Sequence, residues 1–172
     1  MKRSLIFVLA ALFSLFAIAG YAQDKAAVSK QDMKFVSEAA SGNMMEVELG
    51  KYVSQQGSAD EVKKFAERMV TDHSKANEEL MSIAQKKNIT MPKQMSKKHM
   101  RTVERLKKLQ GAELDRAYMK EMVKDHKEDV RKYQRAADKL KDPELKSYAS
   151  STLTVLQEHH KMAQEIAGKM KK

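Results

Sequence analysis

The sequence predicts an all-helical bundle, and three observations lead to this prediction. The 172 residues are rich in Lys, Glu, Ala and Met but contain only six Gly and two Pro, a composition that favours helix over strand. Four long segments carry apolar residues at spacings of three and four, the period of a helix that faces a core. Their connections are short, long and short in chain order, which predicts an antiparallel four-helix bundle with ferritin-like connectivity.

Capping residues set the boundaries of the four long helices. Gly57 is a natural end for the first helix, and Ser58 with Glu61 predicts a capping box that opens the second. Asp142 is a good N-cap residue and Pro143 suits a first helical turn, so together they separate the third helix from the fourth. The predicted ranges are 32–56, 58–87, 112–141 and 143–168.

The long connection, residues 88–111, is predicted to cross from one helical hairpin to the other. It contains Pro92 and ends at Gly111, and both residues interrupt helices. A short amphipathic helix is predicted within it, over residues 101–109.

The N-terminus has the pattern of an export signal. Lys2 and Arg3 are followed by an uncharged apolar run over residues 5–18, and small residues at Gly20 and Ala22 predict cleavage after Ala22. An uncleaved anchor is the alternative, although the run is shorter than the roughly 20 residues of a membrane span. The predicted organisation is a signal peptide (1–22), a flexible mature N-terminus (23–30), the bundle (31–168) and a basic tail (169–172). We therefore expect an exported protein, periplasmic or secreted.

The apolar stripe of each long helix is interrupted once, near its middle, by an ionisable residue. These residues are Glu46, His73, His126 and His159. A repeat supports the pattern, because the segments 69–73 and 122–126 both have the sequence Met-Val-x-Asp-His. We therefore expect the four side chains to meet in one layer of the bundle.

Such a layer has two interpretations. Three imidazoles and a carboxylate suit one transition-metal ion such as zinc, iron or copper, with Asp72 and Asp125 as hydrogen-bond acceptors behind the ligands. Alternatively, the same residues form a buried hydrogen-bonded network without metal, which can fix the helix register. The lack of Cys excludes a thiolate site, a disulfide framework and a lipoprotein anchor.

A di-iron oxidase and other enzymes are disfavoured by the sequence. Di-iron bundles use Glu-x-x-His on two helices, but Val70, Val123 and Leu156 occupy the positions three before the histidines. The sequence also lacks a Gly-rich phosphate loop and a Cys nucleophile. The interpretation therefore leans away from an enzyme without excluding acid–base chemistry.

Methionine and basic residues suggest two further partners. Thioethers near imidazoles suit Cu(I), and the residues in question are Met69, Met91, Met95, His99, Met100 and Met122. Buried Met more commonly serves packing. A basic group in the connection could instead contact an anionic membrane or cell-envelope surface, and its members are Lys97, Lys98, Arg101, Arg105, Lys107 and Lys108, with Lys169, Lys171 and Lys172 in the tail. Nucleic acid is not expected as a partner outside the cytoplasm.

Several motifs together resemble a family of bacterial exported proteins known as a domain of unknown function and often labelled "predicted outer membrane protein". They are Ala39 to Gly42, Glu46 to Gly50, the two Met-Val-x-Asp-His segments, Gly111 with Asp115 and Tyr118, and Leu156-x-x-His159. The resemblance covers residues 30–167. It implies a ferritin-like bundle and export, and it implies no established activity.

Overall fold

The computed structural model of the protein describes residues 28–170, so the predicted signal peptide lies outside the described residues. Within this range the chain forms five helices and no strand. The helices are α1 (Lys30–Gln56), α2 (Asp60–Lys86), α3 (Lys97–Leu106), α4 (Gly111–Lys139) and α5 (Pro143–Lys169). The all-helical prediction is therefore confirmed.

The four long helices form two hairpins that pack into one bundle. Helix α1 packs along α2, and α4 packs along α5; contacts between α2 and α5 and between α1 and α4 join the two hairpins. The predicted crossover carries the short helix α3, which lies against α1 and α4. No helix within residues 28–170 combines the length and hydrophobicity needed to cross a bilayer.

The apolar core is divided into two clusters along the bundle. One contains Phe65, Met69 and Tyr118, and the other contains Leu80 and Tyr148. On α2, α4 and α5 the predicted histidines fall in the chain between the members of these two clusters. The fold therefore places a polar layer between two hydrophobic blocks.

The predicted capping box at Ser58 is wrong. Helix α2 begins at Asp60 after Ala59, without a side-chain cap. The buried carboxylate of Asp115, from α4, instead accepts hydrogen bonds from the backbone N–H groups of Ser58 (3.1 Å) and Ala59 (2.8 Å). A Cβ at Gly57 would lie 2.7 Å from Asp115 Oδ1, so glycine is needed here for close approach.

The other boundaries follow local capping. Asp142 accepts hydrogen bonds from the N–H groups of Glu144 and Leu145, as predicted for the start of α5. Helix α1 begins two residues earlier than predicted, because Ser29 and Asp32 form a capping box. Helix α3 begins at Lys97 rather than at residue 101, because Ser96 caps it by accepting from the N–H of His99.

Candidate metal centre

Three of the four predicted residues converge in the middle of the bundle. His73 on α2, His126 on α4 and His159 on α5 are each at most 4% exposed. The ring centroids are 5.8 Å apart for His73 and His126, 5.5 Å for His73 and His159, and 5.3 Å for His126 and His159. One candidate ligand nitrogen from each ring lies within 4.8 Å of the other two.

Each ring uses one nitrogen to hydrogen-bond an oxygen outside the cluster. His73 Nδ1 donates to Asn43 Oδ1 (3.0 Å), and His126 Nδ1 donates to the Met122 carbonyl (3.1 Å). His159 Nε2 donates to Asp72 Oδ2 (2.8 Å). These acceptors assign the proton of each neutral ring to the bonded nitrogen, so the other nitrogen carries a lone pair.

The three remaining ring nitrogens are buried and have no hydrogen-bond partner within the described residues. They are Nε2 of His73, Nε2 of His126 and Nδ1 of His159. Metal-ligating histidines show this arrangement, with one nitrogen held by an oxygen acceptor and the other free for the ion. The cluster therefore offers three oriented lone pairs from three helices.

The environment keeps the rings neutral. Burial, together with the neighbouring rings, lowers the pKa of His73 well below its usual value and that of His126 to about 3. Burial also lowers the pKa of His159, although the hydrogen bond to Asp72 opposes this shift. A metal ion would therefore have no imidazole protons to displace at neutral pH.

A chain of polar contacts connects His159 to the surface. Asp72 accepts from His159 and from Arg68 Nε (3.1 Å), while a terminal nitrogen of Arg68 donates to Glu158 (2.8 Å). Partial burial alone would raise the pKa of Asp72, but the hydrogen bonds from His159 and Arg68 lower it overall. Asp72 is therefore an anionic acceptor that fixes the orientation of the His159 ring.

A cleft between α2 and α5 reaches two of the histidines. Its volume is about 270 Å³, and His73 and His159 are among its lining residues. Asp72 and Arg68 also line it, so the polar chain forms part of its wall. The site is therefore buried in the bundle but adjoins an opening on one side.

A protein-family model matches most of the sequence. The family described as Domain of unknown function (DUF4142) matches residues 18–166. The chain belongs to the DUF4142 family. This agrees with the resemblance noted over residues 30–167, while the ferritin-like assignment stays a prediction. No curated protein matches the sequence.

One solved structure supports the fold of this DUF4142 domain. It is the crystal structure of a DUF305 fragment from Deinococcus radiodurans, with a TM-score of 0.73 and 14% sequence identity. The match covers 83% of this chain and 98% of that chain. At this identity the likeness shows a shared helical fold alone.

The fourth predicted residue, Glu46, is not part of the three-histidine group. Its carboxyl is buried, and neither oxygen makes a hydrogen bond within the usual distance and angle limits. Burial, followed by the nearby Asp125 and Asp129 carboxyls, raises its pKa well above the usual value. Burial and Asp129 also raise the pKa of Asp125 to about 7. Glu46 therefore belongs to an acidic cluster shared by α1 and α4.

The two predicted supporting aspartates have different environments. Asp72 accepts from His159 on a neighbouring helix, as predicted, but Asp125 accepts from none of the three rings, whose acceptors are Asn43, the Met122 carbonyl and Asp72. Asn43, the acceptor of His73, was not predicted from the sequence. The pattern that could have identified it is a polar residue on α1, one turn before Glu46.

The other predicted partners find limited support from the geometry. Met69 and Met122 are fully buried within one core cluster, as packing residues are. His99 Nδ1 is 2.7 Å from the Ser41 hydroxyl.

Several of the basic residues pair with acidic side chains of the same molecule: Lys98 with Glu128, Arg105 with Glu121, Lys107 with Glu48, and Lys169 with Glu61. Part of the predicted basic surface is therefore neutralised within the bundle.

Proposed function

We propose that this DUF4142 domain binds one transition-metal ion through His73, His126 and His159. Two observations carry the proposal: each ring has one buried nitrogen without a hydrogen-bond partner, and one candidate ligand nitrogen of each ring lies within 4.8 Å of the other two. Each ring is oriented by a hydrogen bond from its other nitrogen. A single ion accepts all three lone pairs at once.

The same observations disfavour a purely structural network. In such a network the polar atoms satisfy one another, and each buried atom left unsatisfied costs about 1–3 kcal/mol. Here the hydrogen bonds run outward from the rings, to Asn43, Met122 and Asp72, and leave the centre unsatisfied. A bundle selected only for stability would gain by filling this layer with apolar side chains.

The donor set narrows the choice of metal. Imidazole nitrogen suits zinc, copper and iron, and three histidines are a known zinc ligand set. Glu46, the fourth ligand predicted from sequence, lies in the acidic cluster, where burial raises its pKa and so disfavours the carboxylate form that a metal ion binds. We therefore propose the three histidines as the ligands and treat Glu46 as the residue to test beside them.

Metal content tests the proposal directly. Mature protein purified without a His tag should bind one equivalent of Zn(II) or Co(II) per chain, measured by elemental analysis after gel filtration. Replacing His73, His126 and His159 together should remove this binding, whereas His99→Ala should not, because His99 lies in the connection. Glu46→Gln should leave the affinity within about threefold if Glu46 is not a ligand.

Absence of binding would contradict the proposal. Binding that survives the triple replacement would also contradict it, because the metal would then lie elsewhere. A loss of affinity of about tenfold or more in Glu46→Gln would support a metal site and would contradict the exclusion of Glu46 from it, because both ligands and the residues that hold them cause losses of this size.

We also propose that the protein is exported and that its mature form begins at Gln23. The proposal is supported by the charged start of the chain, the apolar run and the small residues Gly20 and Ala22. Intact mass spectrometry of protein recovered from the extracytoplasmic fraction should show the chain without residues 1–22. A mass that includes them would contradict cleavage.

A further inference from the structure

We infer that the bound metal ion takes a small anion as an exogenous ligand, and that the anion enters through the cleft between α2 and α5. This inference rests on the proposed function. It adds the class of ligand that the site accepts and the face of the bundle from which the ligand arrives.

The ligand count leaves a position for an exogenous group. Tetrahedral zinc sites with four protein ligands are closed, whereas sites with three keep one position for water or a substrate. Within residues 28–170, the group able to hold a metal ion consists of the three histidines alone. The fourth position is therefore available to a molecule that is not part of the chain.

Charge favours an anion in that position. The three imidazoles are neutral, so they leave the positive charge of a divalent ion uncompensated. Asp72 is the anionic group that contacts a ligand ring, and Arg68 already pairs with it at 3.1 Å. Among the residues that line the cleft, the positive charges of Arg68 and Lys75 are balanced by the negative charges of Asp72 and Glu79. The cleft has no net charge to repel an anion.

The cleft has the required size and position. Its volume of about 270 Å³ exceeds by far the roughly 10–15 Å³ needed for one water molecule. His73 and His159 lie in its wall, whereas His126 is not among its lining residues. A ligand in the cleft would therefore approach the ion from the side of α2 and α5.

Two adjacent serines on α5 provide a matched pair of variants. Ser151 is exposed and lines the cleft, whereas Ser150 is exposed and does not line it. Both hydroxyls donate to carbonyls of their own helix, those of Tyr148 and Lys146 respectively. Ser151→Trp should cover the cleft, and Ser150→Trp carries the same side chain one position away.

The test is an azide titration of the Co(II)-loaded protein, followed by the visible spectrum of Co(II). The wild type and Ser150→Trp should both show a saturable spectral change, and Ser151→Trp should raise the azide dissociation constant at least tenfold. Co(II) affinity and circular dichroism establish that each variant is folded, and Ser151→Phe replaces the tryptophan variant if that one fails to fold.

The possible failures are distinguishable. If Co(II) binds but azide leaves the wild-type spectrum unchanged, the site is closed and the inference is wrong while the proposed function stands. Equal azide affinity in Ser151→Trp and the wild type would show that the anion does not use this cleft. If Co(II) does not bind at all, both the proposed function and the inference are wrong.

Discussion

Replacing His126 with leucine should abolish metal binding while leaving the metal-free protein at least as stable as the wild type. The change removes one of three ligands, so the affinity for Zn(II) or Co(II) should fall by about 100-fold or more. It also removes a buried nitrogen that has no partner. Because such an atom costs about 1–3 kcal/mol, an apolar side chain of similar size should preserve or raise the free energy of unfolding. Metal titration and urea denaturation after chelation measure the two quantities.

The same variant separates the two interpretations of the polar layer. A structural network predicts the opposite stability effect, because removing one member leaves its partners unsatisfied and costs about 1–3 kcal/mol. A destabilised His126→Leu, combined with a wild type that never binds metal, would therefore establish the network. His99→Leu is the control for a lost histidine, since His99 contacts Ser41 and lies outside the cluster.

The fold was predictable where helices have one clear apolar face. On α5 the stripe at spacings of three and four that contains His159 is buried along its whole length, and its members are Leu145, Ala149, Thr152, Leu156, His159, Ala163 and Ile166. On α4 the stripe that contains His126 is less regular, because Val130 and Ala137 are only half-buried while Asp115 and Tyr118 on the same helix are also buried. Helix α4 also contacts α1 and α3, so more of its circumference is covered than one stripe describes.

Contacts distant in the chain account for the errors at the helix ends. The pattern of Ser58 and Glu61 satisfied the local rule for a capping box. Asp115 supplies the acceptor instead, and it comes from another helix that begins more than fifty residues later in the chain. A pattern within four residues contains no information about such a partner.

The site shows the same division between local and distant information. Placing one histidine near the middle of each of three long bundle helices was enough to predict that they meet. The rotation of α1 about its own axis was harder to predict, because its apolar residues can be grouped into more than one stripe. That helix contributes Asn43, which holds His73, while Glu46 turns towards the carboxyls of Asp125 and Asp129. The spacing of apolar residues along α1 does not determine which of its polar residues faces the histidines. Packing against the other helices decides this.

The stability of the metal-free protein should depend on pH through His126. This ring has a pKa of about 3 in the folded protein, against a usual value of 6.5 that we take for the unfolded chain. Between these values the unfolded chain binds more protons, so a fall in pH favours unfolding. The contribution of His126 is fully present above pH 6.5 and is lost as the pH falls towards 3.

Two acidic groups act in the opposite direction, so the wild-type profile alone does not isolate this effect. Glu46 and Asp125 have raised pKa values in the folded protein, for which burial is the largest cause. They hold protons that the unfolded chain has released, and a fall in pH towards their usual values therefore favours folding. A comparison of two proteins that both retain Glu46 and Asp125 cancels most of this contribution.

The comparison of wild type with His126→Leu should therefore change with pH. From pH 7 to pH 5 the wild type should lose about 2 kcal/mol through His126, because each pKa unit corresponds to about 1.4 kcal/mol. The variant lacks this group, so its advantage in unfolding free energy over the wild type should grow by the same amount. Urea denaturation of both metal-stripped proteins at pH 7, 6 and 5 measures the difference. A difference that stays constant with pH would mean that His126 titrates as an exposed histidine does, which contradicts a ring buried and neutral in the centre of the bundle.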